Sequence, residues 1–137
     1  MELSADAHRA GKTVVLLDSN FLMMPFQFGI NLDIELERIF GVYDAIVPTS
    51  VMRELEGLAK EGGKDGAAAR GALRFAARYK KIETPEWEAD DALVRLALEN
   101  KSARWIVATN DGGLRSRLKN VAPVLIMSGK SHLRLSE

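Results

Sequence analysis

Acidic residues recur in this chain where apolar runs give way to helical stretches. Asp18 closes Val14-Val15-Leu16-Leu17, and Asp111 closes Trp105-Ile106-Val107-Ala108. Glu54 opens the helix expected after Ala45-Ile46-Val47-Pro48, and the Asp90-Asp91 pair opens one running from Ala92 to Asn100. In a parallel α/β sheet the strand C-termini share one edge, and that edge is where such folds bind ligands. Carboxylates gathered there repel one another unless a cation or protons lie between them. The spacing therefore predicts a metal site. The chain has no cysteine, and its two histidines, His8 and His132, lie near opposite ends and read as surface or tail residues. The ligands would then be oxygens, which favours Mg²⁺ or Mn²⁺ over Zn²⁺.

The four positions do not weigh equally. A charge directly after four buried aliphatic residues is costly unless solvent, a cap or a cation offsets its desolvation. Asp is a good helix cap, but Ser19 and Asn20 could cap as well, so Asp18 reads as functional. Asp111 lies in Ala108-Thr109-Asn110-Asp111-Gly112-Gly113, where turn chemistry alone would account for it; beside Asp18 it reads as a second strand-end carboxylate. Glu54 taken alone is explained by the macrodipole of a helix's first turn, and its case rests on β-strand adjacency. Adjacent helical residues point about 100° apart, so one of Asp90 and Asp91 faces a shared site, and spacing does not choose between them.

These carboxylates need a scaffold of alternating strands and helices. Strands are expected over Val14–Leu17, Ala45–Val47, Lys81–Glu83, Arg104–Ala108 and Val124–Met127. Between them fall helices over Ser19–Phe28, interrupted by Pro25 and Gly29, then one carrying Leu32, Leu36 and Ile39 and ended by Gly41. A helix over Val51–Lys60 is expected to be capped by Thr49 or Ser50, and Gly62-Gly63 marks a break before Ala67–Tyr79. Thr84-Pro85 reads as a helix start, Leu114–Lys119 as a short helix, and the stretch from Gly129 as a short edge strand or a loose tail. The pattern predicts an α/β/α sandwich around a parallel sheet.

At 137 residues the chain suits one domain with a real core. Residues 1–12 read as a flexible N-terminal leader and 13–137 as the domain. No apolar run approaches the roughly 20 residues of a membrane span, and no signal-peptide core is present, so a cytoplasmic protein without membrane partners is expected. Lys plus Arg and Asp plus Glu number 19 each, which argues against a general polyanion coat but not against local basic patches.

The chain resembles the PIN-domain nuclease family over about Thr13 to Leu133. The resemblance rests on Leu16-Leu17-Asp18-Ser19-Asn20, Val47-Pro48-Thr49-Ser50-Val51-Met52-Arg53-Glu54-Leu55, Ala89-Asp90-Asp91-Ala92-Leu93 and Val107-Ala108-Thr109-Asn110-Asp111. Each motif is short and common, but their order and separation are specific. It implies a five-stranded parallel sheet ordered 3-2-1-4-5 and an acidic quartet of Asp18, Glu54, Asp91 and Asp111. Asp91 is preferred because Asp91-Ala92-Leu93-Val94 matches the family's Asp-Ala-Leu-hydrophobic run, which leaves Asp90 supporting. Asn20 and Thr109 match polar positions that orient carboxylates or water. Ser19 stands for a commoner threonine, and Gly113 stands where many members carry another acid, so one or two ions are expected. The segments Pro25–Ile30 and Glu35–Ile39 look like archaeal proteins related to small-subunit rRNA-processing PIN nucleases, with VapC-type toxins as the neighbouring subgroup.

The implied activity is metal-dependent hydrolysis of RNA phosphodiester bonds, leaving 5′-phosphate and 3′-hydroxyl ends. Asp18 and Asp111 would hold the ion that activates water. Arg70, Arg74 and Arg78 repeat along one helix and form either an RNA contact or a solvated face. Arg115, Arg117 and Lys119 follow Asp111 and suit phosphate contacts. No aromatic residues interleave with these clusters, and Phe21, Phe26, Phe28, Trp87 and Trp105 read as core or oligomer contacts. Met23, Met24, Phe26 and Phe28 are equally core residues or an apolar homodimer contact. An antitoxin or a ribosome-assembly factor is the other partner implied. A haloacid dehalogenase phosphatase is disfavoured because Asn20 occupies the place of its second carboxylate, and a silent PIN-like scaffold is the remaining rival.

Overall fold

The computed structural model describes residues 12–136. The expected leader and His8 lie outside them, except for Lys12, whose ammonium pairs with Asp44 at 3.3 Å. The elements run β1 (Thr13–Leu17), α1 (Ser19–Phe28), α2 (Leu32–Phe40), β2 (Tyr43–Pro48), α3 (Thr49–Leu58), α4 (Gly63–Ala76) and β3 (Lys80–Ile82). They continue through α5 (Ala89–Glu99), β4 (Trp105–Ala108), α6 (Gly112–Leu118), β5 (Val124–Ser128) and β6 (His132–Ser136).

The strands form one sheet in the order β3-β2-β1-β4-β5-β6. The first five are parallel, in the expected 3-2-1-4-5 order, and β6 adds an antiparallel edge to β5. β1 and β4 are buried throughout, as their unbroken Val, Leu, Ile and Trp runs require of strands covered on both faces. The edge strand is held from outside. Leu133 donates its amide to Glu35 at 3.1 Å and accepts from Arg38 at 3.2 Å, so α2 occupies edge groups that would otherwise invite another strand. No helix among the described residues is long and apolar enough to cross a membrane.

Three local expectations change. Pro25 lies inside α1 without ending it, and Gly29 alone stops the helix, at φ 71°. A helix-interior proline costs about 3 kcal/mol. Burial of Phe21, Leu22, Met23 and Met24 in the same helix returns about 1.5–3 kcal/mol for each, which decides the matter. That burial also assigns Met23 and Met24 to the core, leaving only Phe26 and Phe28 of the four exposed. Thr84-Pro85 does not start a helix: α5 begins at Ala89, and Thr84 is buried against α3. Finally, α3 begins at Thr49 with no side-chain cap, because the Thr49 and Ser50 hydroxyls bond to Thr84.

Candidate active site

The strand order reverses direction between β1 and β4, and the crevice beyond their C-termini is where an open α/β sheet binds ligands. Asp18 follows β1 directly, and its amide continues the sheet by bonding to the Ala108 carbonyl at 3.0 Å. Its side chain is buried, at 3% exposure, and both oxygens are held. Oδ1 accepts the Ser19 amide at 2.8 Å; Oδ2 accepts Thr109 Oγ1 at 2.6 Å and Asn20 Nδ2 at 3.1 Å. Asn20 in turn accepts the Asn110 amide at 3.0 Å, and Asn110 Oδ1 accepts the Met127 amide at 2.8 Å. The network fixes Asp18 relative to β4 and β5.

Glu54 reaches the same edge by another route. It lies in the second turn of α3, not the first, so first-turn dipole stabilisation does not account for it. Ser19 Oγ donates to its Oε1 at 2.8 Å. Asp111 caps α6, its Oδ1 accepting the Leu114 amide at 3.0 Å, while its own amide donates to Thr109 Oγ1 at 3.1 Å. Thr109 thus orients two acids at once.

The two aspartates of the pair differ in burial and in neighbours. Asp91 is exposed and bonds Arg117 at 3.0 Å. Asp90 is half-buried, and burial followed by the Asp111 and Glu54 charges raises its pKa, against Arg117. Helical phase explains the difference. Ala89, Ala92, Leu93, Leu96 and Ala97 form the buried face. Asp90 lies about 100° from Ala89, at the border of that face, whereas Asp91 lies about 200° away. This difference in burial is legible in the apolar phase of the sequence.

The charges of Glu54 and Asp90 thus reach Asp18, and those of Asp111 and Glu54 reach Asp90. Burial pushes the Asp18 carboxyl up to about 6, with Glu54 and Asp90 adding to it, against the hydrogen bonds from Thr109 and the Ser19 amide. Among the described residues no three acids converge tightly enough to cage an ion by themselves. The fit to a divalent cation rests on the chemistry of the donors: four oxygen acids, mutually repelling, with one of them buried.

A family model described as a PIN-like domain matches residues 15–130. The chain belongs to that family. The PIN-like domain is 32% identical over 126 residues to ribonuclease VapC4 of Methanocaldococcus jannaschii, covering 88% of this chain and 95% of the relative. It is 31% identical to the rRNA-processing protein FCF1 of Saccharomyces cerevisiae, covering 90% of this chain but only 63% of that protein. Among solved structures, the PIN domain endonuclease Utp24 superposes with a TM-score of 0.74 at 28% identity, covering 90% of both chains.

The basic residues of the PIN-like domain divide sharply. Arg70 donates to the Ala59 and Glu61 carbonyls, closing the end of α3. Arg78 pairs with Asp33 at 2.6 Å and lies over the Phe75 ring. Arg78 also lies just before β3, which runs parallel to β2, so it belongs to the sheet edge opposite the acids. Arg74 is exposed on α4. Arg115, Arg117 and Lys119, by contrast, follow the Asp111-capped start of α6, and Arg115 and Lys119 line a cleft of about 400 Å³ with Ser136. A side chain at Gly113 would begin 3.2 Å from Asp111 Oδ1, so an acid there would flank this same cluster. Sequence reasoning passed over Ser19 as a Glu54 tether, Asn110 as a brace, and Ser50, Arg53 and Thr84 as the lock on the loop before α5.

Proposed function

We propose that this PIN-like domain is a metal-dependent endoribonuclease in which Asp18, Glu54, Asp90 and Asp111 hold Mg²⁺ or Mn²⁺. The observation that carries the reading is the buried Asp18, its pKa raised to about 6 amid like charges at the switch-point edge. A divalent ion held there would supply a water of lowered pKa and positive charge beside the scissile phosphate. Asn20 and Thr109 keep the Asp18 carboxylate aimed, Ser19 positions Glu54, and Asp111 retains Oδ2 beyond its capping bond. Asp91 serves by orienting Arg117, and Arg115, Arg117 and Lys119 take the flanking phosphates. Arg70 is left to closing the end of α3 and Arg78 to its pair with Asp33, both away from the cleft beside α6.

RNA is the substrate because both curated relatives are named for RNA work, a ribonuclease and an rRNA-processing protein. Ribosomal-precursor processing is supported by the 31% identity to an rRNA-processing protein. A toxin ribonuclease partnered by an antitoxin is supported by the VapC4 relative, matched over 95% of its length. The test is incubation with RNA in Mg²⁺ or Mn²⁺: internal cleavage, stopped by EDTA and leaving 5′-phosphates, is expected. Growth arrest on expression of the active form alone would assign the toxin setting, and fixed-site cleavage of a ribosomal precursor the processing one.

A further inference from the structure

Trp87 is the most exposed large hydrophobic residue among those described, at 84%. That exposure rules out the core role expected from the sequence. Its loop is nevertheless firmly held. Thr84 is buried, and its hydroxyl accepts the Ser50 amide at 2.9 Å. The Glu86 carbonyl accepts from Ser50 Oγ at 2.6 Å and from Arg53 Nη2 at 2.9 Å. The Glu86 carboxylate is bound by Arg95, and Ala89 is buried at the start of α5. The backbone on either side of Trp87 is fixed while the indole stands in solvent. With the backbone already fixed, only the two side-chain torsions of Trp87 are left to be ordered when something docks on it.

With Arg53, Glu54, Glu88 and Ala89, Trp87 lines a cleft of about 200 Å³. Glu54 belongs to this cleft and to the acidic cluster alike, so an occupant here adjoins the phosphate at the cluster. The lining decides the kind of occupant. Glu54 and Glu88 repel a phosphate, whereas an indole and a guanidinium offer flat faces to a neutral planar group, and carboxylates accept from its exocyclic amines. A nucleobase has that shape and polarity. A base paired within a duplex cannot present its face, so the occupant is unpaired.

We infer that Trp87 is the stacking platform for an unpaired nucleobase next to the phosphate at the acidic cluster. The inference rests on the nuclease reading above. It also supplies an aromatic partner of the kind that does not interleave with the basic segments in the sequence.

The test uses intrinsic fluorescence, because the chain has two tryptophans and Trp105 is buried. In EDTA, a single-stranded oligoribonucleotide should quench the emission saturably, and a blunt duplex of equal length should not. The quench should vanish in Trp87→Phe. Trp87→Ala should weaken binding about ten-fold, Trp87→Phe should restore most of it, and in Mn²⁺ most of the alanine variant's loss should fall on KM. Equal affinity of wild type and Trp87→Ala, equal quenching by duplex, or a concentration-dependent blue shift without RNA, as a second copy covering Trp87 would give, overturns the inference. Quenching by a protein that fails to cleave RNA would sustain the platform and sink the nuclease reading. Cleavage with an unchanged KM in Trp87→Ala would do the reverse.

Discussion

Ser19 Oγ donates to Glu54 Oε1 across 2.8 Å, joining the first residue of α1 to the second turn of α3. Glu54 is exposed, so without this bond its long side chain would sample several rotamers and leave the Asp18 edge. The tether also joins the motif after β1 to the helix after β2, which makes one site of two elements.

Ser19→Ala should therefore cost activity far more than stability. We expect kcat/KM to fall about ten-fold or more, as when a ligand-orienting partner is lost, with stability changed by under about 1 kcal/mol. Ser19→Thr, which keeps the hydroxyl, should restore most of the rate. Rates and urea midpoints measured on the same three proteins check this; parallel losses in both would show that the bond is merely structural.

Asp90 and Asp91 should separate cleanly. Asp90→Asn should lower metal-dependent cleavage at least about ten-fold, with the Mn²⁺ concentration for half-maximal rate shifted upward. Asp91→Asn releases Arg117 and removes an exposed pair worth under about 1 kcal/mol, so its effect should stay within a few-fold. A metal titration of both variants decides, and a larger loss in Asp91→Asn would return the role to that residue.

The contrast between these neighbours shows where the sequence is readable. β1 and β4 could be found because strands buried on both faces need unbroken aliphatic runs, and Asp18 and Asp111 because a charge ending such a run stands out. Asp90 and Asp91 are told apart by helix phase, which the local Asp-Ala-Leu motif does not report. The loop before α5 was misread because Pro85 suggests a helix start locally, while the groups that fix Thr84 lie 34 residues away at Ser50. β6 depends in the same way on Glu35 and Arg38, remote in sequence. Partners set by tertiary contact leave little local trace.

Thr84→Val should destabilise the fold by about 1–3 kcal/mol, because the Ser50 amide loses its acceptor inside a buried cluster. Chemical denaturation measures it directly. Thr84→Ser, which keeps the hydroxyl, should lose less; equal losses in the two variants would mean that the methyl group and not the hydrogen bond matters.

Stability without metal should depend on pH through Asp18. Its carboxyl is raised from 3.8 to about 6, chiefly by burial. Between about pH 4 and 6 the unfolded chain gives up this proton while the folded protein keeps it, so stability falls as pH rises through that window. Above the folded pKa the penalty is complete, on the order of 2–3 kcal/mol; below the unfolded pKa it is absent. In EDTA, the stability of wild type relative to Asp18→Asn should decline by about that amount from pH 4 to pH 7. A flat difference would show that Asp18 ionises normally.

The most direct measurement is the initial rate of cleavage of a single-stranded RNA against Mn²⁺ concentration, for wild type and Asp18→Asn side by side. Wild type should show a saturating, EDTA-sensitive rate, and the variant should lose at least about 100-fold while its circular dichroism stays native. Equal rates in the two proteins would contradict the assignment of the acidic cluster as the nuclease site.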